Sequence, residues 1–132
     1  MLAAETGISP MLQIVHSLLA KSRSGTIATM PRISLLCVNQ TQSDIICRNE
    51  LDRLQIEHNE TVHVKHVLSH EPNDTSWDGL RGRVDHRAIF QEWDMALPNK
   101  GARLLICGPS DFSEEMEHIT KEVWNEEQVF VF

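Results

Sequence analysis

Positive charge is scarce in this chain. Twelve Lys and Arg stand against nineteen Asp and Glu, a formal net charge of −7 at neutral pH. Nucleic-acid binding depends on basic side chains that neutralise phosphates, so nucleic acid is not an expected partner. Cysteine is equally sparse. Cys37, Cys47 and Cys107 are odd in number and share no Cys-x-x-Cys spacing. That pattern fits free thiols in a reducing compartment rather than a disulfide framework. No apolar run approaches the ~20 residues a spanning helix needs, so direct membrane insertion is not expected. No basic-then-apolar leader opens the chain. No Gly-x-Ser-x-Gly occurs, which leaves a serine nucleophile unsupported. No repeat, low-complexity tract or internal boundary is visible, and 132 residues suit one domain with a real core.

What is present alternates. Ser9-Pro10 reads as a helix start, with Ser able to cap and Pro suited to the first turn. Met11, Ile14, Val15, Leu18 and Leu19 follow at helical spacing. Residues 22–30 form a polar loop. Ile33 to Val38 is continuously apolar, the pattern of a strand covered on both faces. A loop at residues 39–43, a helix over 44–58 and a Val-rich strand over 61–69 come next. Residues 70–81 read as a loop, residues 82–85 as a brief extended piece, and residues 88–97 as a helix that Pro98 ends. A strand over 102–106, a helix over 111–124 and a strand over 128–132 complete the order. Alternating strands and helices imply βαβ units: an α/β fold, an open parallel sheet in three layers.

Two turns carry chemistry. Thr6-Gly7 precedes a helix start, where free backbone N–H groups and the helix dipole point at an anion, and the Thr6 hydroxyl can add a hydrogen bond. An ordinary strand–turn–helix connection would look the same in isolation. Cys107-Gly108-Pro109 follows the apolar run Ala102 to Ile106, so it stands where a buried parallel strand ends. The ligand crevice of such a sheet lies just beyond the carboxyl ends of its strands. Trp77-x-Gly79-x-x-Gly82 reads as a loop anchored by an aromatic ring, with Gly at special backbone angles. His58, His63, His66 and His70 read as surface residues, because His63 and His66 point to opposite faces of a strand and no Cys stands near them. No metal site is expected.

In order and spacing, the motifs resemble the NAD-binding domain of the NADH–cytochrome b5 reductase family and its ferredoxin-reductase-like relatives. The pieces are Thr6-Gly7-Ile8-Ser9-Pro10-Met11, Asn39-Gln40-Thr41-Gln42-Ser43-Asp44-Ile45 with Arg48-x-Glu50-Leu51, Leu68-Ser69, Trp77 to Val84, Cys107-Gly108-Pro109 and the closing Phe130-Val131-Phe132. The resemblance covers nearly the whole chain. It implies a Rossmann-like domain that binds NADH and delivers hydride to FAD, with electrons passing to a haem-protein acceptor. By the same resemblance, Thr6, Gly7, Ser9 and Pro10 hold the pyrophosphate, while Asn39, Gln40 and Asp44 meet the adenosine ribose. Cys107 stands beside the nicotinamide and flavin rings, with Gly108 and Pro109 shaping its turn and Phe112 lying against the nucleotide. A buried structural role for Cys107 and a helix-packing role for Phe112 carry similar weight. The family's flavin-binding domain, with its Arg-x-Tyr-Ser/Thr motif, is absent from this chain, so FAD is not expected bound to it. A cytoplasmic protein follows, on the cytosolic face of a membrane if a longer parent carries an anchor.

The chain departs from the family in two places. The family has Gly-Gly before Thr-Gly, whereas Ala4-Glu5 stands here. Glu5 adds bulk and a like charge beside a pyrophosphate, a repulsion of roughly 1–4 kcal/mol depending on solvation. Either nucleotide binds weakly, or Glu5 swings into solvent. Only Met1 to Ala4 precede the opening turn, so the first, central strand is expected to be mostly missing. Asp44 would repel a 2′-phosphate, which favours NADH over NADPH; it also sits one turn before Arg48, as a helix-terminal ion pair would. The alternative function is that of a non-catalytic remnant or truncated product, a binding or interaction domain.

Overall fold

The computed structural model describes residues 1–85 and 101–132; the helix expected over 88–97 lies outside them. Six parallel strands form one sheet: β1 (Leu2–Ala4), β2 (Ile33–Asn39), β3 (Val62–Leu68), β4 (Leu80–Arg81), β5 (Leu104–Cys107) and β6 (Val129–Val131). Their spatial order is β4-β3-β2-β1-β5-β6. From β1 the chain steps one way through β2, β3 and β4, and β5 and β6 lie on the other side. The order therefore reverses between β1 and β5, the switch point at which such sheets take ligands.

The first strand needs the largest amendment. Expected to be mostly missing, it is present for three residues and fills the centre of the sheet. Leu2, Ala3 and Ala4 pair with Leu36, Cys37 and Val38 on one side, and Leu2 and Ala3 pair with Ile106 and Cys107 on the other. The ladder runs on through Met1, whose carbonyl accepts from Leu36 N–H at 2.9 Å and whose amine donates to the Ser34 carbonyl at 2.7 Å. Burial pushes that amine down to about 5, against a small opposing influence of Cys37. Three residues suffice because both neighbours supply partners and each side chain is buried.

Side chains alternate across the sheet with the period of two that strands impose. Ala3, Leu35 and Cys37 face helices α1 (Ile8–Arg23) and α2 (Arg48–Glu57), meeting Ile8, Met11, Val15, Leu51 and Leu54. Leu2, Leu36, Leu104 and Ile106 face the other way, toward Met116 of α3 (Ser110–Thr120) and Trp124. Two apolar clusters on opposite faces make the three layers. Each fully buried Leu contributes about 1.5–3 kcal/mol relative to exposure.

Other boundaries shift for local reasons. Helix α1 starts at Ile8, its N-cap is Gly7, and no side chain caps it. Ser9 and Pro10 thus sit inside the first turn rather than at the cap, a place Pro tolerates because its missing N–H has no intrahelical partner there. The helix expected from Asp44 splits: Gln42–Asp44 is a separate 3-10 turn, and Cys47, at φ 57, breaks the path before α2. Helix α3 stops at Thr120, whose buried hydroxyl donates to the Met116 carbonyl at 2.7 Å. The extended piece expected at 82–85 falls instead at Leu80–Arg81, because Gly82, at φ 93, turns the chain.

Candidate functional site

The crevice begins where β1 ends. Ala4 is extended, Glu5 takes φ 51, and Glu5–Gly7 forms one 3-10 turn into α1. A positive φ is costly for a residue with a Cβ and free for Gly. Glu5 therefore occupies a position whose backbone suits Gly, and its side chain is exposed. Gly7 is buried, and a Cβ there would overlap the Cys107 carbonyl and come within 2.8 Å of Gly108 N. A Cβ on Gly108 would lie 2.7 Å from Phe112 Cδ1 and 3.0 Å from Ala4 Cβ. The turns after β1 and β5 thus touch backbone to backbone.

Pro109 is the N-cap of α3, with its carbonyl accepting from Ser113 N–H at 2.9 Å. Ser113 Oγ donates to the Gly108 carbonyl at 3.3 Å. Cys107 is half-buried and packs against the cluster under α1 and α2, while Phe112 packs against the opposite cluster and against Gly108. Both residues therefore have a packing role and still reach the crevice edge. Cys37 is different: burial pushes its thiol up to about 12, which leaves it inert at neutral pH.

A second group lies beyond β2 and β3. Their ladder continues past the strands, with Ser69 N–H donating to Asn39 O at 3.0 Å and His70 N–H to Gln40 O at 2.9 Å. Asn39 is 7% exposed, and its Oδ1 has no hydrogen-bond partner among the described residues. A buried polar oxygen without a partner costs about 1–3 kcal/mol, so it marks a place where a donor is wanted. Asp44 does not pair with Arg48. Its Oδ2 accepts from Thr41 N–H at 2.9 Å and from the Thr41 hydroxyl at 2.7 Å, closing a capping box on the 3-10 turn. Arg48 turns instead to Asp52 (3.9 Å) and Gln42 Oε1 (3.5 Å), and its guanidinium lies 5.8 Å from the centre of the Trp77 ring.

Glu71 was missed in the sequence, and Arg81 was seen only as part of the Trp77 to Val84 stretch. Glu71 accepts from Gln42 N–H at 2.8 Å and from Gln42 Nε2 at 2.7 Å, and these bonds hold its carboxyl below the usual carboxylate range. Arg81 donates to the carbonyls of Glu71 (3.1 Å), Pro72 (2.8 Å) and Trp77 (2.8 Å), and to Thr75 Oγ1 (3.3 Å). It fixes the loop that carries Glu71. Trp77 Nε1 donates to Leu80 O at 3.1 Å, and Gly79 lies against the ring, where a Cβ would come within 2.5 Å of it. Gly79 thus avoids crowding, while Gly82 alone of the pair needs a left-handed angle. The only usable signal was topological: loops after neighbouring parallel strands emerge at one edge.

A cavity of about 350 Å³ opens at this edge, lined by Val38, Ser69, His70, Arg83, Phe112 and Glu115 among others. Arg83 and Glu115 close one side with a 2.6 Å ion pair. A larger cavity of about 600 Å³ lies at the amino ends of the strands, walled by Ile14, Leu18, Ile33, Leu105 and Trp124. The larger cavity is the farther from the switch point: the smaller one shares Phe112 with the glycine turn after β5 and lies at the carboxyl ends of β2 and β3. Among the described residues, no group of three or more His, Cys, Asp and Glu side chains is arranged to hold a metal. No described helix is long and apolar enough to cross a membrane.

A parallel sheet with a glycine turn at its switch point, running into a helix whose N-terminus no side chain caps, defines a nucleotide-binding α/β domain. The profile of the oxidoreductase NAD-binding domain family matches residues 1–120, and the chain belongs to that family. It is 32% identical over 133 aligned residues to zebrafish (Danio rerio) cytochrome b5 reductase 4, an alignment covering the whole chain and 24% of that protein. It is 35% identical over 119 residues to NADH-cytochrome b5 reductase 1 of Scheffersomyces stipitis, covering 89% of the chain and 38% of the relative. Among solved structures, the CS-b5R domains of human Ncb5or in the NAD+ form align at a TM-score of 0.84 and 26% identity, over 99% of this chain and 35% of that one. The cytochrome b5 reductase domain of Ulva prolifera nitrate reductase aligns at 0.86 and 23% identity, over 100% and 48%. The chain is thus an oxidoreductase NAD-binding domain similar to those of cytochrome b5 reductases, and it spans less than half the length of these relatives.

Proposed function

We propose that residues 1–132 form one domain that binds NADH across the β1/β5 switch point and presents it for hydride transfer to FAD. The observation that carries this reading is the backbone contact between Gly7 and Cys107-Gly108. It leaves a side-chain-free floor on which a pyrophosphate and a flat ring can lie close to the main chain. The residues fit the nucleotide. Thr6, Gly7, Ser9 and Pro10 border a helix N-terminus that no side chain caps, which suits the pyrophosphate. Asn39, Gln40 and Asp44 border the ribose, and the Asn39 oxygen without a partner accepts a donor there. Cys107, Gly108 and Pro109 border the nicotinamide, and Phe112 packs beside it. When bound, the nicotinamide supplies the hydride and a flavin receives it; this chain contributes orientation and electrostatics. The flavin domain and a haem-protein acceptor are the partners in the complete enzyme, in the cytoplasm or at the cytosolic face of a membrane.

NADH should shift the amide resonances of Thr6, Gly7, Asn39, Gln40 and Gly108 in an NMR titration, and NADPH should shift them less because of Asp44. Shifts confined to other surfaces would overturn the assignment. The isolated chain should carry no FAD and show no NADH–ferricyanide reductase activity. A second reading, a non-catalytic binding domain, draws on Glu5. A charged residue stands at a left-handed position beside the phosphate turn, and it weakens nucleotide binding if its carboxylate bends inward.

A further inference from the structure

We propose that the cavity at the amino ends of the strands is a second binding site, for a small amphipathic carboxylate with an apolar chain and one anionic head. The site lies at the opposite end of the sheet from the crevice and does not depend on the nucleotide reading. Its volume, about 600 Å³, falls within the ~300–1,000 Å³ of small-molecule sites. The wall arises where packing is incomplete. Of the apolar stripe on α1, Met11, Val15 and Leu19 are buried against the sheet, whereas Ile14 and Leu18 stay half-buried and line the cavity. On β5 the alternation of side chains sends Leu104 and Ile106 to the α3 side and Leu105 to the α1 side. Leu105 is also half-buried and completes the apolar wall with Ile33.

The charge around this cavity is the reverse of the charge of the chain. Nineteen Asp and Glu outnumber twelve Lys and Arg overall. Among the described residues that line the cavity there is no Asp or Glu, and there are two arginines, Arg32 and Arg103. Both are exposed, so they stand at the mouth. Arg103 donates one N–H to the Ala102 carbonyl at 2.9 Å, which leaves most of the donors of its guanidinium for a ligand. Trp124 adds an aromatic wall, and its buried indole N–H has no acceptor among the described residues. Apolar walls beside donors, without a carboxylate, suit a ligand with an apolar body and an acceptor-only head. A carboxylate can meet the guanidinium through two parallel hydrogen bonds. A cationic amphiphile finds no counter-charge here, and a neutral one leaves the guanidinium unused.

The test is an NMR titration of the full chain, without nucleotide, against decanoate, decanol and decylammonium. Decanoate should shift the methyl resonances of Ile14, Leu18 and Leu105 and the Trp124 indole N–H, and the shifts should saturate at one site. Decanol should bind several-fold more weakly, and decylammonium should leave these signals in place. The cation is a strict control, because non-specific attraction to a chain of net charge −7 would favour it. From hexanoate to decanoate, each added CH₂ should tighten binding by up to about fourfold. Arg103→Gln, an exposed substitution, should weaken decanoate by about two- to fivefold and leave decanol unchanged. Equal affinity for decanoate and decanol, or an unchanged decanoate affinity in Arg103→Gln, overturns the proposal by removing the anionic head. Shifts spread over the whole surface, or none at Ile14, Leu18 and Leu105, overturn the site itself.

Discussion

The two halves of the crevice are built by opposite means. At the β1/β5 seam, Gly7 and Gly108 bring main chain against main chain, and the shape follows from atoms that are missing. At the β2/β3 rim, Glu71, Gln42, Arg48 and Trp77 hold one another through side chains from separate elements. The Gly7–Gly108 contact at the seam is steric and involves no titratable group. The rim is polar, exposed and sensitive to pH and salt. A nucleotide bound as proposed would meet shape at its centre and charge at its edge.

The seam breaks most easily. Gly7→Ala should destabilise the fold by roughly 1–3 kcal/mol, the range for overpacking, because the new methyl overlaps the Cys107 carbonyl and only backbone can yield. Urea unfolding measures the loss, and NADH-induced shifts at Gly108 should disappear. Near-normal stability would mean the two turns part freely.

Glu5→Gly sharpens the comparison in the other direction. It relieves a left-handed Glu at φ 51 and removes a like charge from the phosphate turn. NADH should bind roughly tenfold tighter if the charge repels, about 1.4 kcal/mol, and the gain should fade at high salt. A salt-independent gain would make the obstruction steric. An unchanged affinity would mean that Glu5 stays in solvent.

The smallest expected effect is the response of the rim to acid. Burial lowers the pKa of His66, whose ring meets Trp77 edge-on at 6.2 Å, with Asp52 raising it in part and Arg48 lowering it. The unfolded chain therefore binds the proton first. Stability is fully present above 6.5 and declines as pH falls through the window between that value and the lower folded one. Glu71 acts in the same direction further down: its folded pKa lies below 4.5, so its grip on Gln42 is complete above that value and is lost as pH falls through the folded one. Amide exchange should then open around Gln42 and Trp77 while Gly7 and Gly108 stay protected. Simultaneous opening of both halves would refute the division.

The seam was legible in the sequence and the rim only half so. Thr6-Gly7 and Cys107-Gly108-Pro109 announced themselves because glycines at strand ends have few other reasons to exist, and the α/β order followed from plain periodicity. Asp44 was seen, yet its partner was misjudged: Thr41 is three residues away and Arg48 four, and spacing does not say which wins. Glu71 was invisible because its partner is 29 residues distant and belongs to another loop. The first strand was underestimated because a strand's length was taken as its strength, whereas Leu2–Ala4 is held from two sides.

That doubly held strand also fixes an order of events in time. Residues 2–4 leave the ribosome before either of their partners, residues 36–38 and 106–107. The centre of the sheet cannot close until residue 107 has been made. Closing such long loops is slow, and non-local parallel pairing is the slowest kind. The β2–β3 pair, joined by one helix and matched over seven residues, can form early and wait. The seam, rigid once made, is thus assembled late, and a nascent chain stalled before Cys107 carries an open edge on β1 that invites another strand.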